Sequence, residues 1–338
     1  MKKRILAAAL SALMALSLAA CGSSSSTASS AAASASGSAA AGSASGKSYT
    51  IGICQLVQHP ALDAATQGFE DALTEKLGSS VTFDLQNAAG DSATCATICN
   101  SFVSSNVDLI LANATPALQA AASATNTIPI LGTSVTDYAT ALSVKDWKGT
   151  TGTNISGTSD LAPLDGQADM IKELFPDAKN VGILYCSGEA NSVYQANTIT
   201  PYLESAGYTV KTYTFSDSND VAAVTSTACG ECDVLYIPTD NTAASCAEAI
   251  NNVAQPAGIP IVAGEEGICK GCGVATLSIS YYDLGYATGE MAYEILVNGS
   301  DPSTMQIQYA PKFTKEYNAT ICKALNITPP DGYTAIAE

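Results

Sequence analysis

From residue 49 onward, short unbroken apolar runs alternate with stretches of helical periodicity, and this alternation restricts the fold more than any other feature of the chain. Runs such as "VDLILA" (107–112) and "DVLYI" (233–237) show no polar alternation, as strands covered on both faces require. Strands are expected at 49–54, 81–86, 107–112, 128–132, 181–186, 209–214, 233–237, 259–263 and 274–280. Between the first two, Leu62, Phe69, Leu73 and Leu77 fall on one stripe of a helix. Alternating β and α elements fold as doubly wound parallel sheets, so the class is α/β. An internal repeat divides the chain. "VDLILANATPALQAAASATNTIPIL" (107–131) and "CDVLYIPTDNTAASCAEAINNVAQPAGIPIV" (232–262) share an acidic strand start, a polar turn with Thr, an Ala-rich helix and a strand opening Ile-Pro-Ile. Two lobes are expected, 49–155 plus 277–304 and 156–276 plus 305–338, joined by a multi-segment hinge. "GTNISGTSD" (152–160) reads as a crossover. Pro201 is expected to kink or break the helix begun near Asn191.

Ahead of the lobes, Lys2, Lys3 and Arg4 precede an apolar run, Ile5 to Leu18, too short to span a bilayer comfortably. Residues 1–20 read as a leader. "LAAC" (18–21) resembles the lipobox of bacterial lipoproteins, which implies a lipidated Cys21 as the mature N-terminus, anchored to the outer face of the cell membrane. Residues 21–48 are nearly all Ser, Ala, Gly and Thr, a composition that makes a flexible tether. The chain carries 31 acidic residues against 14 basic, three of the latter in the leader. Such a balance excludes binding to nucleic acid through bulk charge.

In doubly wound sheets ligands bind beyond the carboxyl ends of the strands, where helix N-termini present free N–H groups. Thr115 and Pro116 read as N-cap and first residue of the helix after strand 107–112. There the hydroxyl and N–H groups either cap the helix or hold a carboxylate. "GTSVTDYA" adds Ser134, Thr136 and Asp137 on the same rim. In the other lobe "SGEANS" offers Glu189, Asn191 and Ser192, and "YIPTDNTA" offers Asp240 and Asn241. Asp240 is either a cap or the partner of a cationic group. Hydroxyls and helix ends on one lobe with acids on the other suit a zwitterion. His59, the single histidine, lies at the turn Gln58-His59-Pro60, either as an exposed turn residue or as a wall of the cleft. Leu62 and Tyr281 are further candidates for that wall, and Asp283 completes the set.

GxSxG, HExxH, P-loop and post-strand GxGxxG motifs are all missing from the sequence. No catalytic residue, cofactor or metal ligand is therefore expected. Two CxxC units, Cys229/Cys232 and Cys269/Cys272, stand 36 residues apart. The spacer is too long for the usual zinc ribbon and itself contains a strand, a helix and another strand. Disulfides and unpaired structural thiols are the competing readings.

Taken together, "HPALDAATQGFEDAL", "LANATPALQAAA", "IPILGTSVTD", "EANSV", "IPTDNT" and "YYDLGYATGEMA" resemble the substrate-binding lipoproteins of ABC transporters of the tryptophan/tyrosine type. The resemblance extends in order from about residue 49 to 330. It implies the type I periplasmic-binding-protein fold: two Rossmann-like lobes that close on an aromatic amino acid. It also implies delivery to a membrane permease, with no chemistry of the protein's own. The chain departs from the family where Asp137-Tyr138 replaces a common Asp-Pro, and where Cys186 replaces a frequent Asn. The CxxC pairs are not part of the family pattern. A monomer binding tryptophan, tyrosine or phenylalanine is the leading expectation. A receptor of the same fold for a sugar or nucleoside is a rival, weakened by the single Trp at 147. A thiol- or metal-dependent redox lipoprotein using the CxxC pairs is another.

Overall fold

The computed structural model describes residues 46–337. The expected leader, Cys21 with its expected lipidation, and all but the last three residues of the expected tether lie outside the described residues. The first part of the chain runs β1 (Tyr49–Gln55), α1 (Pro60–Leu77), β2 (Val81–Asn87), α2 (Ser92–Ser105), β3 (Leu109–Asn113), α3 (Thr115–Ala124), β4 (Ile130–Val135), the short α4 (Tyr138–Ala141) and β5 (Ile155–Ser159). The plan then repeats with α5 (Leu164–Leu174), β6 (Asn180–Cys186), α6 (Ala190–Ser205), β7 (Thr209–Phe215), α7 (Val221–Cys229) and β8 (Val234–Ile237). It continues through α8 (Asn241–Ser245), α9 (Ala247–Ala257), β9 (Ile261–Ala263), α10 (Glu266–Cys272) and β10 (Ala275–Ser278). A final stretch holds α11 (Tyr281–Leu296), β11 (Gln308–Tyr309), β12 (Thr314–Tyr317), α12 (Ala319–Ala324) and β13 (Thr334–Ala335).

Two sheets form, with strand orders β11-β5-β4-β3-β1-β2 and β13-β12-β10-β9-β8-β6-β7. All pairs are parallel except β10 with β12, which is antiparallel. Among the described residues the chain passes between the sheets three times, after β5, after β10 and after β11. The boundaries expected at 155 and 304 therefore fall short of the first sheet, which takes in β5 and β11 as well. "ISGTS" escapes a hydropathy reading because its buried side chains are hydroxyls. Ser156 donates to the Met305 carbonyl (3.1 Å), and Thr158 bonds to Thr133 (3.2 Å) and Thr288 (2.8 Å). Satisfied in this way, the hydroxyls are buried at little cost.

The apolar stripe of α1 packs as its spacing requires, with Leu62, Phe69 and Leu73 essentially free of solvent. Each contributes about 1.5–3 kcal/mol from burial. The partner of α1 is α11, and their backbones approach closely enough that a Cβ on Gly68 would strike the Tyr282 carbonyl and one on Gly285 the Ala65 carbonyl. Only glycine fits at these two positions. Pro201 does not break α6, which continues to Ser205. The Asn197 carbonyl that loses its partner N–H belongs to an exposed residue, so water can take the bond. No helix among the described residues is long and apolar enough to cross a membrane.

Candidate ligand-binding cleft

The carboxyl ends of β4, β3 and β1 lie side by side in the first sheet, and those of β6 and β8 in the second. From the first rim come His59, Thr115, Ser134 and Thr136; from the second, Glu189, Asn191, Ser192, Asp240 and Asn241. All of these are buried. The rims meet directly: His59 Nε2 lies 3.3 Å from Asn241 Oδ1, and Gln195 Nε2 donates to Thr136 Oγ1 at 3.4 Å. A cleft of about 300 Å³ runs between them, lined by Leu56, Val57 and Pro116 on one side and Glu189, Asn241 and Thr242 on the other. A second hollow of about 330 Å³ opens between Pro60 and Ala61 of α1 and Glu265 and Lys270, beside Tyr281.

On the first rim, two residues hold left-handed backbone without being glycine: Ala114 (φ 92°) and Ser134 (φ 55°). Ala114 is the N-cap of α3 and accepts from the Leu118 N–H (3.0 Å), which moves Thr115 and Pro116 one place inside the helix from their expected positions. Thr115 is thus not the cap. Its hydroxyl, relieved of capping, is buried and unpartnered. Ser134 sits where the pairing of β4 with β5 slips its register, and its hydroxyl is also buried and unpartnered. Bulges and strained residues of this kind re-aim side chains and gather at functional sites. His59, at the N-cap of α1, makes no capping bond with its side chain, and its Nδ1 is unpartnered as well. Asp137, half-buried, caps α4 by accepting from the Thr140 N–H at 2.7 Å. Leu62 is packed in the first-lobe core below His59.

The second rim is differently occupied. Glu189 accepts from Asn191 Nδ2, from the backbone and side-chain nitrogens of Asn241, and from the N–H and hydroxyl of Thr242. Asp240 accepts from the Cys186 N–H and the Ala243 N–H, each at 2.7 Å. Both acids therefore close off the head of α8 on their own lobe. Burial, and then the neighbouring Glu189, push Asp240 up to about 7, against the pull of those two N–H groups. Ser192 is fully buried, with its oxygen accepting from Asn191 Nδ2. The free polar atom on this rim is Asn191 Oδ1.

Three residues near the hinge complete the geometry. Tyr281 donates its phenol to Asp160 Oδ2 (3.0 Å), and Thr136 donates to Asp160 Oδ1 (3.1 Å). Burial raises Asp160 to about 6 despite these two donors. Gln195 links α6 to Thr136 and to the Thr239 carbonyl. Asp160 and Gln195 were not among the sequence candidates. Gln195 stands four residues after Asn191 on one helix face, a signal that was available. Asp160 closes the polar strand that sequence patterning passes over. Asp283 is exposed in the first turn of α11, where it lines a separate hollow with Leu284 and Tyr309 and not the cleft between the rims. Ion pairs among the described residues are Lys76–Glu290, Lys211–Glu231 and Lys315–Glu173, all at the surface. None neutralises the buried acids of the cleft.

The described cysteines are all unpaired, and no group of metal-binding side chains occurs among the described residues. Cys229 and Cys232 lie at the end of α7, whereas Cys269 and Cys272 belong to α10. Burial pushes all four thiols up, the opposite of an activated thiolate.

Residues 50–338 match the family described as ABC transporter substrate binding protein. The chain is 42% identical over 255 residues to the "Tyrosine-binding protein" of Clostridioides difficile (strain R20291), covering 75% of this chain and 74% of that one. Among solved structures it is similar to an ABC domain in complex with L-Trp from Streptococcus pneumonia (33% identity, 86% of this chain and 100% of that one, TM-score 0.81). It is also similar to a ligand-free, open substrate-binding protein with adhesive properties from Clostridium difficile (38% identity, 85% and 99%, TM-score 0.65). The lower TM-score accompanies the higher identity.

Proposed function

The chain belongs to the family of ABC transporter substrate-binding proteins, and from that premise we propose that it closes on an aromatic amino acid and hands it to a permease. The observation that carries this reading is the pair of unpartnered, buried hydroxyls, Thr115 Oγ1 and Ser134 Oγ, on the first rim, together with the equally unpartnered Asn191 Oδ1 on the second. Two hydroxyls beside the free N–H groups at the head of α3 suit a carboxylate. Asn191 Oδ1 suits an ammonium, in the field of Asp240, Glu189 and Asp160, which no lysine or arginine among the described residues pairs with. The ammonium contact therefore moves from Asp240 itself to Asn191, with the acids acting from behind. Pro116 lines the cleft and Tyr281 the neighbouring hollow, the two spaces open to a ring. The names of the relatives, one tyrosine-binding and one solved with L-Trp, favour an aromatic side chain. Closure follows from geometry, because only a ligand held by both rims gains contacts as they approach. Residues 1–20 are read as the leader and Cys21 as the lipidated residue that holds the protein at the outer face of the membrane.

Calorimetric titration of the purified protein with the amino acids tests the proposal. Tyrosine, tryptophan or phenylalanine should saturate it at one per chain. Silence with all three, together with binding of a sugar or nucleoside, would reject the ligand class.

A further inference from the structure

We infer that His59 Nδ1 accepts a hydrogen bond from a donor carried on the ligand's ring, the phenol O–H of tyrosine or the indole N–H of tryptophan, and so discriminates against phenylalanine. The inference rests on the amino-acid reading above. Its foundation is a chain of hydrogen bonds that leaves the imidazole one tautomer. Donors from Asn191, Asn241 and Thr242 converge on Glu189, so its oxygens act as acceptors. Asn241 Nδ2 donates to Glu189 Oε2 at 2.6 Å, which turns Asn241 Oδ1 away from the carboxylate. The flipped amide would set two acceptors against each other at that distance. Oδ1 in turn faces His59 Nε2 at 3.3 Å. An amide oxygen can only accept, so the imidazole proton resides on Nε2 and Nδ1 carries a bare lone pair.

That lone pair has no use inside the protein. His59 is 6% exposed, and its Nδ1 meets no donor, although the N-cap position offers N–H groups of the first turn of α1. Burial lowers the histidine's pKa, outweighing Asn241, Glu189 and Asp63, so the ring stays neutral and Nδ1 stays an acceptor. A buried acceptor left without a partner costs free energy that an incoming donor recovers.

The sheet order indicates which part of the ligand supplies the donor. Ser134 lies one residue before the end of β4, Thr115 two residues after the end of β3 and His59 four after the end of β1, three strands in succession. Measured across the sheet alone, two strand spacings, roughly 10 Å, lie between the first and the last. Tyrosine covers a comparable span from carboxylate to phenol oxygen. A ligand with its carboxylate at Thr115 and Ser134 thus brings the far end of its ring to His59. Phenylalanine reaches the same place with only C–H groups and leaves Nδ1 buried and unpaired, the situation in which binding sites discriminate most strongly. Because Asn241 belongs to the second lobe, the acceptor is defined only once the lobes meet.

The chain has one histidine, so ¹⁵N imidazole resonances belong to His59 without further assignment. In the tyrosine complex Nε2 should be protonated, and Nδ1 should shift toward the hydrogen-bonded position relative to the phenylalanine complex. Calorimetry on the same protein should favour tyrosine over phenylalanine by about tenfold or more, and His59→Leu should bring the ratio to about one. A proton on Nδ1, an equal Nδ1 shift with phenylalanine, or a tyrosine-to-phenylalanine ratio unchanged in His59→Leu would each overturn the inference. Should His59→Leu fail to fold, the resonances of the unmodified protein decide alone. Equal binding of tyrosine and phenylalanine by the unmodified protein removes the role of His59 while leaving the amino-acid reading intact; binding of neither, nor of tryptophan, removes both.

Discussion

The two rims of the cleft are built from the same βα unit, yet Thr115, Ser134 and His59 of the first and the two acids of the second handle their polar atoms in opposite ways. On the first rim Thr115, Ser134 and His59 keep polar atoms buried and unpartnered, two of them beside strained backbone. On the second rim Glu189 and Asp240 have their oxygens filled by donors of their own lobe. Saturated groups hold a rim in shape, whereas unsatisfied groups wait for a partner from outside. Removing a saturated group should therefore show first in stability, and removing an unsatisfied one in affinity.

The strongest challenge to this contrast is Glu189→Ala. It strips the acceptor from several buried donors at once and should cost about 4 kcal/mol or more in urea unfolding, since each stranded donor costs about 1–3 kcal/mol. An unfolding midpoint equal to that of the unmodified protein would mean the second rim is not held by its acids.

Asp160 sharpens the contrast through pH. Its folded-state value of about 6 lies above the ordinary 3.8, so between these values the native state holds more protons than the unfolded chain. Its contribution to stability therefore falls as pH rises from about 4 to about 6, and levels off above that. Asp160→Asn should flatten this part of the stability–pH curve by up to about 3 kcal/mol, following 1.4 kcal/mol per unit. Asp240, raised to about 7, keeps its own slope in both proteins, whereas Glu265, also raised to about 7 and in part by the charge of Asp160, titrates slightly lower in the variant, so the comparison is read between about pH 4 and 6. Parallel curves for the two proteins would contradict the assignment.

The smallest effect is the most diagnostic. Thr115→Ala removes a hydroxyl that bonds to nothing in the protein, so stability should stay within about 0.5 kcal/mol. Affinity for the aromatic ligand should fall by about 1 kcal/mol, roughly fivefold. Loss of stability with affinity intact would reverse the division between the rims.

Much of this architecture is legible in the residues themselves. Unbroken apolar runs mark central strands such as β3, β8 and β9, because burial on two faces leaves no room for polar alternation. β5 was not legible, because Ser156 and Thr158 are polar in composition yet buried by mutual hydrogen bonding. Asp160, which ends that strand, was lost with it. Residue types also marked most of the rim, but not what each group does there. Whether a Thr caps a helix or stands one place inside it depends on the φ of Ala114, which no composition encodes. Likewise nothing local separates Asp240, committed to its own backbone, from an acid free to meet a cation. Asp283 shared the charge of the rim residues, but its place in the first turn of α11 turns it to solvent.

The glycine seam between α1 and α11 has a mechanical meaning. His59 stands at the head of α1 and Tyr281 at the head of α11, and the backbones of these helices touch at Gly68 and Gly285. Backbone meets backbone at these two glycines, and side chains such as Leu284 and Met291 of α11 pack on α1 beside them, so sliding would break both sets of contacts and the pair is expected to move as one lever. Tyr281 lies just past the crossing that follows β10, so a pull on His59 at the cleft becomes torque at the hinge. A methyl group at residue 285 would wedge the seam apart and slacken that lever, weakening the transmission while leaving every residue of the cleft unchanged.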